Sequence, residues 1–328
     1  MSDPHQQADP LPETFSGDSF ADKAKRALHA SRPKFFPASI APIAFGTAWG
    51  VYVSGGIDWL VFALALLATV CVHAASNVLN DVGDDAIGTD PQNVDRIYPY
   101  TGGSRFIQTG ILSSSQMARL GISQIAIAAI AGMILIYLKG PMVLYFGLAG
   151  VALAVFYSLG PAKLSSLGIG ELAIVFGFGV IPICGAAWLQ GAALDMTLVL
   201  ISLPIGIWVS TILLINEVPD ITADAAAGKR TLPVRFGRVA TSGIYLSMHL
   251  VAAAVTGWLA FRGVLPLAAP VVPVLLLALT FKASKAIQAG VEDRPAMTKA
   301  IESTLAIQTI GSLWLVGCAL YLHWWGAT

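Results

Sequence analysis

Charged residues are so scarce in this chain that almost no water-soluble fold is open to it. Asp, Glu, Lys and Arg make up 12% of the 328 residues, whereas 56% of the residues are apolar. A soluble domain carries about 25% charged residues, because a surface that faces water needs them. The same apolar excess excludes a disordered chain, and a net charge of zero gives no bulk attraction to nucleic acid. The composition therefore predicts an integral membrane protein that binds no nucleic acid.

Nine segments are apolar enough to cross a membrane as helices, which takes about 20 residues each. They lie near residues 35–54, 58–80, 117–138, 141–159, 169–190, 196–217, 240–261, 264–281 and 302–325. We predict an all-α bundle of nine transmembrane helices, with residues 23–328 as a single membrane domain. The polar residues 1–22 predict a disordered cytoplasmic tail. Residues 19–32 fit either a basic amphipathic helix on the membrane surface or a solvated charged arm.

The basic residues predict the orientation of the spans. Of the 19 Lys and Arg residues, 17 fall on the side of the N-terminus, and Lys139 and Arg262 fall on the other. The positive-inside rule places the N-terminus and the charged connections in the cytoplasm. An odd number of spans then places the C-terminus outside. We expect a multi-pass protein of the cytoplasmic (inner) membrane.

Acidic residues cluster at two points on the same side. One cluster follows the second span, and the other follows the sixth. Their members are Asp81, Asp84, Asp85, Asp90 and Asp95 in the first, and Glu217, Asp220 and Asp224 in the second. Residues three or four apart share a helix face, which groups Asn80 with Asp84 and Asn216 with Asp220 and Asp224. Because the Asn-xxx-Asp pattern recurs 136 residues later, we predict two pseudo-repeated half sites that face each other across the bundle.

Carboxylate and amide oxygens at this spacing are the ligands that Mg²⁺ prefers. Mg²⁺ is usually shared with substrate phosphates, so two acidic half sites indicate a diphosphate held between metal ions. Its remaining oxygens could contact the nearby basic residues Arg105, Lys163, Lys229 and Arg230. The apolar spans would accommodate a long hydrocarbon tail. Solvated helix caps are the plainer interpretation, but it does not explain two matched clusters in a chain so poor in charge.

Three motifs in residues 30–325 resemble those of the UbiA superfamily of membrane prenyltransferases. Two are the acidic clusters, and the third is Tyr157-Ser158-Leu-Gly-Pro161-Ala-Lys163 followed by Gly168-Ile-Gly170-Glu171. The first acidic motif fits the family in two registers, as Asn77, Asp81 and Asp85 or as Asn80, Asp84 and Asp90. We prefer the second, in which Gly88 replaces the family's last Asp, and both registers remain open.

The second register resembles the menaquinone branch of the superfamily, which prenylates 1,4-dihydroxy-2-naphthoate. The Thr-Gly-Gly-Ser-Arg stretch at residues 101–105 and the Gly-Lys-Arg-Thr-Leu stretch at 228–232 are also similar to that branch. The second motif departs from it. Residues 216–220 read Asn-Glu-Val-Pro-Asp and lack the second Asn and the Arg of that branch, so another aromatic or isoprenoid acceptor remains open.

The resemblance implies Mg²⁺-dependent transfer of a polyprenyl group from its diphosphate to an aromatic acceptor. The implied metal ligands are Asn80, Asp81, Asp84, Asp90, Asn216, Asp220 and Asp224. The implied diphosphate contacts are Asn80, Arg105, Tyr157, Ser158, Lys163, Lys229 and Arg230. Catalytic roles would fall to Asp84, Asp85, Lys163, Asp220 and Asp224, and either Asp85 or Glu217 would orient or deprotonate the acceptor. Charge neutralisation would promote loss of the diphosphate and leave an allylic cation for the acceptor ring to attack.

A membrane transporter with cytoplasmic acidic gates is the main alternative, because acidic residues in membrane helices often mark ion pathways. Both clusters lie at helix ends rather than at mid-span, which favours the enzyme. The motifs specify neither the prenyl chain length nor the oligomeric state.

Overall fold

A computed structural model describes residues 9–88, 93–158 and 163–326, apart from the side chain of Ser158. In those ranges all regular secondary structure is helical, as predicted. The α-helices are α1 (Phe20–Ala30), α2 (Pro37–Ser54), α3 (Trp59–Ile87), α4 (Ser114–Lys139), α5 (Met142–Ser158), α6 (Gly170–Leu189), α7 (Met196–Asn216), α8 (Ile221–Ala226), α9 (Leu232–Phe261), α10 (Val271–Ala289) and α11 (Arg294–Trp325). Helix α6 contains a π-helical turn at Val175–Val180.

The helical, multi-span character of the chain is confirmed. Among the described residues, seven helical stretches are long and apolar enough to cross a membrane. One of the seven, Val271–Trp325, contains both α10 and α11, which a 3-10 turn joins at Gly290–Asp293. Helix α5 is apolar but shorter. The number of nine spans stays a prediction.

Helix α7 is the central element of the bundle. It contacts α2, α6, α9 and α11. In its most apolar stretch of 18 residues 72% is buried, against 22% in the corresponding stretch of α4. Its side chains Ile205 and Trp208 are almost fully buried. Helices α3 and α4 pair with each other at the periphery. Because α7 is fixed on several sides, its end at Asn216 is a rigid support for the residues that follow.

Glycines let three of these helices approach one another closely. A Cβ atom on Gly46 of α2 would lie 2.4 Å from the carbonyl oxygen of Ile183 in α6. One on Gly179 of α6 would lie 2.4 Å from the Cα of Gly206 in α7. Small residues at such crossings allow backbone contact between membrane helices. The close approach holds α2, α6 and α7 at fixed positions.

Both acidic clusters lie at one end of the bundle. Helix α3 has 29 residues, or about 44 Å of rise, which exceeds the ~30 Å hydrocarbon thickness of a bilayer. Its last turns carry Asp81, Asp84 and Asp85. At the opposite end of α3, Asp58 caps the helix and pairs with Lys139 at 3.2 Å. Asp84 of α3 and Asp224, which follows α7, both contact Lys229, so the acidic ends of α3 and α7 lie on the same side.

The segment before α1 differs from the disordered tail predicted for residues 1–22. From residue 9 onward it is folded, with a 3-10 turn at Pro12–Phe15 and a capping box between Ser19 and Asp22 at the start of α1. Phe15 is buried in a cluster with Val78, Phe106 and Met117. The prediction is wrong for residues 9–22, because one aromatic side chain in a polar stretch fills an apolar site on α3 and α4. Residues 1–8 lie outside the described part of the chain.

Replacing Gly46 by Leu tests the close approach of α2 and α6. The new side chain would collide with backbone, so we expect the variant to lose about 3 kcal/mol or more of stability. The measurement is thermal unfolding in detergent. Gly147→Leu is the control, because a Cβ atom at Gly147 on α5 would have no neighbour within 4 Å. Equal melting temperatures for the two variants would contradict the proposed packing role.

Candidate functional site

One lysine ammonium joins the two acidic clusters. The Nζ of Lys229 lies 2.9 Å from Oδ1 of Asp84, near the end of α3, and 3.3 Å from Oδ1 of Asp224 in α8. The three side chains are between 7% and 16% exposed. Two carboxylates brought this close would repel each other in a poorly solvated setting, and the ammonium compensates for them. The structure thus brings together one acid from each predicted half site.

The turn after α8 positions Lys229. The amide of Asp224 donates to the carbonyl of Asp220, and the amide of Lys229 donates to the carbonyl of Asp224 at 2.9 Å. Gly228 takes a positive φ of 75°, a conformation that favours glycine. The chain therefore doubles back, so that the lysine side chain returns to the carboxylate five residues earlier.

Amide side chains hold two of the aspartates. Asn80 donates to Oδ2 of Asp84 at 2.8 Å, and Asn93 donates to Oδ1 of Asp220 at 2.7 Å. Thr101 also hydrogen-bonds to Asp220. Burial, together with the charge of Asp224, raises the pKa of Asp220 to about 7. A cation beside these carboxylates would oppose that shift, because it favours their ionised form.

The connection between α3 and α4, described over residues 93–113, covers the end of α3 and is called the covering loop. The amide of Ser104 donates to Oδ2 of Asp81 at 2.8 Å, and Gln108 donates to Oδ1 of Asp85 at 3.0 Å. Asn77 is turned the other way and donates to the carbonyl of Ser31. The three residues of the first register, Asn77, Asp81 and Asp85, therefore hold neighbouring segments. Asn80 and Asp84, from the second register, face Lys229 and the other half site.

A pair of buried glutamates lies beside the aspartates. Glu171, at the start of α6, hydrogen-bonds to Glu217, just after α7, and each residue is 7% exposed. Among the described residues, Oε1 of Glu171, Oε2 of Glu217 and Oδ1 of Asn216 have no hydrogen-bond partner. Burial and the neighbouring Glu171 raise the pKa of Glu217 well above its usual range. The half-buried Tyr157 is close enough to interact electrostatically with both glutamates.

The predicted basic residues fall into two groups. Lys229 is half-buried and Arg105 is buried among the acidic segments, and Arg105 forms an ion pair with Asp9 at 3.4 Å. Lys163 and Arg230 are exposed, and within the described part of the chain neither side chain bonds to a cluster carboxylate. Their segments are joined, since the amide of Arg230 donates to the carbonyl of Ser166 at 2.9 Å. Asp90 and the side chain of Ser158 lie outside the described residues.

The donor set fits Mg²⁺ although the protein does not enclose an ion by itself. Among the described residues, no group of three or more His, Cys, Asp or Glu side chains is gathered as a ready metal cage. Asp84 and Asp224 nevertheless already share one cation, and the buried amide oxygen of Asn216 has no partner within the part of the chain that the structure describes. Mg²⁺ takes one or two carboxylates and completes its shell with water and substrate phosphate. These oxygens match that requirement.

Sequence reasoning missed several residues that shape this site. Asn93 and Thr101 hold Asp220, and Ser104 holds Asp81 through its backbone. The Thr-Gly-Gly-Ser-Arg stretch was a signal for the loop, but not for its contacts. No sequence signal distinguished Asn93 from other polar loop residues, because its partner lies 127 positions away.

Comparisons with known proteins agree on one family. The sequence profile of the UbiA prenyltransferase family matches residues 40–304. The 1,4-dihydroxy-2-naphthoate octaprenyltransferase of Haemophilus influenzae is 31% identical over 66% of this chain and 70% of its own length. The enzyme of the same name from Escherichia coli is 31% identical over 65% of this chain and 68% of its own length.

The fold also matches a solved structure. A UbiA homologue from Archaeoglobus fulgidus, bound to GPP and Mg²⁺, superimposes with a TM-score of 0.62. The match covers 89% of this chain and 99% of the homologue at 15% sequence identity. At that identity the match establishes a common fold.

Replacing Lys229 by Met tests its position between the two half sites. Without the ammonium, Asp84 and Asp224 are left as buried carboxylates without compensation, so we expect a loss of about 3 kcal/mol in metal-free buffer. Millimolar Mg²⁺ should restore part of the melting temperature, because it can take the same place. The exposed Lys285→Met is the control and should unfold like the parent protein with and without the metal. A Lys229→Met variant that matches this control would refute the bridging role.

Proposed function

Because this chain belongs to the UbiA prenyltransferase family, we propose that it transfers a polyprenyl group from its diphosphate to an aromatic acceptor such as 1,4-dihydroxy-2-naphthoate. The observation that carries the proposal is the meeting of Asp84 and Asp224 on one cation, Lys229, at 2.9 and 3.3 Å. Relatives named as 1,4-dihydroxy-2-naphthoate octaprenyltransferases support the choice of acceptor. Transfer to this acceptor would place the protein in menaquinone biosynthesis.

We propose that Mg²⁺ binds between the two half sites. Asp84, Asp220 and Asp224 would hold it, with Asn80 and Asn216 beside them. When bound, Mg²⁺ supplies positive charge that stabilises the leaving diphosphate. The homologue solved with GPP and Mg²⁺ supports the use of this metal. Asp81 and Asp85 hold the covering loop instead and would act on the site only by positioning it.

Lys229 and Arg105 would bind the diphosphate. Lys229 already lies between the two half sites through its two carboxylate contacts, and both side chains can donate charge-assisted hydrogen bonds to phosphate oxygens. Lys163 and Arg230 are exposed on two segments that a backbone hydrogen bond joins. We assign them to the first capture of the diphosphate from the aqueous side, where long cationic side chains raise the local concentration of an anion.

The buried glutamate pair would orient the acceptor. In the described ranges, Glu171 and Glu217 each keep one oxygen without a hydrogen-bond partner, and a hydroxyl group of the acceptor would donate to one of them. Tyr157 is close enough to interact electrostatically with the same glutamates. A Cβ atom added to Gly170 would lie 3.7 Å from its ring. Asp85 is held by Gln108 on the covering loop, so Glu217 is the better placed of the two acceptor candidates.

The hydrocarbon tail of the substrate would lie along the apolar helices. A groove between α5 and α6 is lined by Leu153, Phe156, Ile169, Leu172 and Phe176, next to Tyr157 and Glu171. An isoprenoid chain would enter this groove from the lipid. Surrounding apolar side chains exclude water that would otherwise quench an allylic cation.

We propose that this end of the bundle faces the cytoplasm. Of the 19 basic residues, 17 are assigned to this side by the sequence, and the positive-inside rule supports that orientation. The N-terminus would then be cytoplasmic and the C-terminus external. Residues from 23 to the end would form a single membrane domain, to which the folded residues 9–22 are attached.

Replacing Asp84 or Asp224 by Ala should abolish prenyl transfer while leaving the protein inserted and folded. Each change removes a carboxylate that holds the metal, and loss of such charge stabilisation costs about 10²–10³-fold or more in rate. Turnover of a labelled prenyl diphosphate in detergent or nanodiscs is the measurement. Asp95→Ala is a matched control from the same acidic segment, because Asp95 pairs with Arg294 at 3.8 Å instead. Full activity in either cluster variant would rule out the metal assignment.

Purified protein should form a prenylated product only when Mg²⁺ is present. The assay combines labelled polyprenyl diphosphates of several lengths with a panel of aromatic acceptors, with and without EDTA. We expect the product to form with 1,4-dihydroxy-2-naphthoate. Product with a different acceptor would keep the enzyme class and replace the acceptor. Failure to form a metal-dependent product with any acceptor would contradict prenyl transfer itself.

A further inference from the structure

Two arginines hold the carboxylate of Asp9, near the start of the described chain. Nη2 of Arg96 lies 3.0 Å from both carboxylate oxygens, and Nε of Arg105 lies 3.4 Å from Oδ2. The side chains of Arg96 and Arg105 are 22% and 10% exposed, and that of Asp9 is 26% exposed. Two guanidinium groups therefore converge on one small anion in a largely buried position.

Both arginines are connected to the acidic half sites by short routes. Arg96 donates to the carbonyl of Asn93 at 2.9 Å, and the side chain of Asn93 donates to Asp220. Arg105 directly follows Ser104, whose amide is bonded to Asp81. The pair therefore lies on the loop that covers the end of α3, with one member linked to each half site.

Guanidinium groups bind phosphate oxygens with the same forked geometry that they use for carboxylates. A diphosphate carries more negative charge and more acceptor oxygens than an aspartate. It can therefore replace Asp9 while keeping both arginines compensated. Arg96 and Arg105 are the two arginines in the described part of the covering loop.

The segment that carries Asp9 is anchored a short distance away. Phe15 is buried against Phe106, with ring centroids 4.9 Å apart, and Arg26 donates to the carbonyls of Phe15 and Gly17. The anchor and the ion pair are separate contacts, six residues apart. Asp9 can therefore leave the arginines without unfolding the segment that begins at the 3-10 turn.

We propose that Arg96 and Arg105 form a binding site for the substrate diphosphate, and that Asp9 occupies this site until the substrate arrives. This inference rests on the proposed function, because it takes the ligand to be a prenyl diphosphate. Asp9 then acts as a tethered competitor. It pairs with the half-buried Arg96 and the buried Arg105 in the resting protein. Binding of the diphosphate is weakened by the free energy of this internal ion pair.

Asp9→Asn removes the competing charge while keeping the shape of the side chain. In the full-length protein with Mg²⁺, this variant should bind geranyl diphosphate about threefold more tightly, the change that a partly exposed ion pair of ordinary strength gives. The measurement is equilibrium binding in nanodiscs. Glu13→Gln is the matched control, because it removes one negative charge from the exposed face of the same segment and should leave the affinity unchanged.

A second variant separates competition from a general change in charge. Arg96→Gln should weaken binding of geranyl diphosphate, and the gain from Asp9→Asn should become smaller in the Arg96→Gln background. Hydrogen exchange gives an independent readout. In the parent protein, amides close to Asp9 should exchange faster when geranyl diphosphate is bound, whereas amides in α1 should not change.

The outcomes distinguish this inference from the proposed function. If the parent protein binds geranyl diphosphate and both Asp9→Asn and Glu13→Gln bind it equally well, the anion site is wrong and the proposed function stands. Tighter binding by both variants would indicate a long-range charge effect and would also overturn it. If neither the parent protein nor Asp9→Asn binds geranyl diphosphate, the proposed function fails as well.

Discussion

The structure depends on how a bundle with few charges compensates two groups of carboxylates at one end. Asp84 and Asp224 come from opposite halves of the chain, and each is largely buried. Bringing them together costs free energy unless a cation lies between them. In this protein the ammonium of Lys229 fills that place, at 2.9 and 3.3 Å. In the proposed function, a divalent cation bound with a diphosphate would take over the same compensation.

The remaining architecture keeps this end of the bundle in place. Helix α7 is fixed by contacts on several sides, and the glycine pair Gly179 and Gly206 brings α6 against it. This contact also sets the positions of Glu171 and Glu217, which begin and follow those two helices. The covering loop is held on α3 through Asp81 and Asp85. Asp81 and Asp85, which do not contact Lys229, therefore have a structural role.

Much of the fold and part of the site could be predicted from the sequence, and the reason is the same in both cases. Long apolar segments can only be membrane helices, and their rare polar residues stand out. Asp84 and Asp224 were found in this way, by their helical spacing from Asn80 and Asp220. Asn93 and Asp9 were not found. The partner of Asn93 lies 127 positions away, and the two arginine partners of Asp9 lie 87 and 96 positions away, so no local pattern indicates these contacts. The buried Phe15 likewise gave no signal that residues 9–22 would fold.

The sequence by itself determined the membrane class of the protein, the side on which its charges gather and the two acidic motifs. These properties follow from composition and from the helical period, which are local. Only the tertiary structure decided which aspartates face one another, which hold the covering loop and which residue stands between the two half sites. The pairing is set by the packing of α3, α7 and α8 against their neighbours. The free energy of bringing two carboxylates together depends on their distance and burial, and neither can be read from the amino-acid sequence.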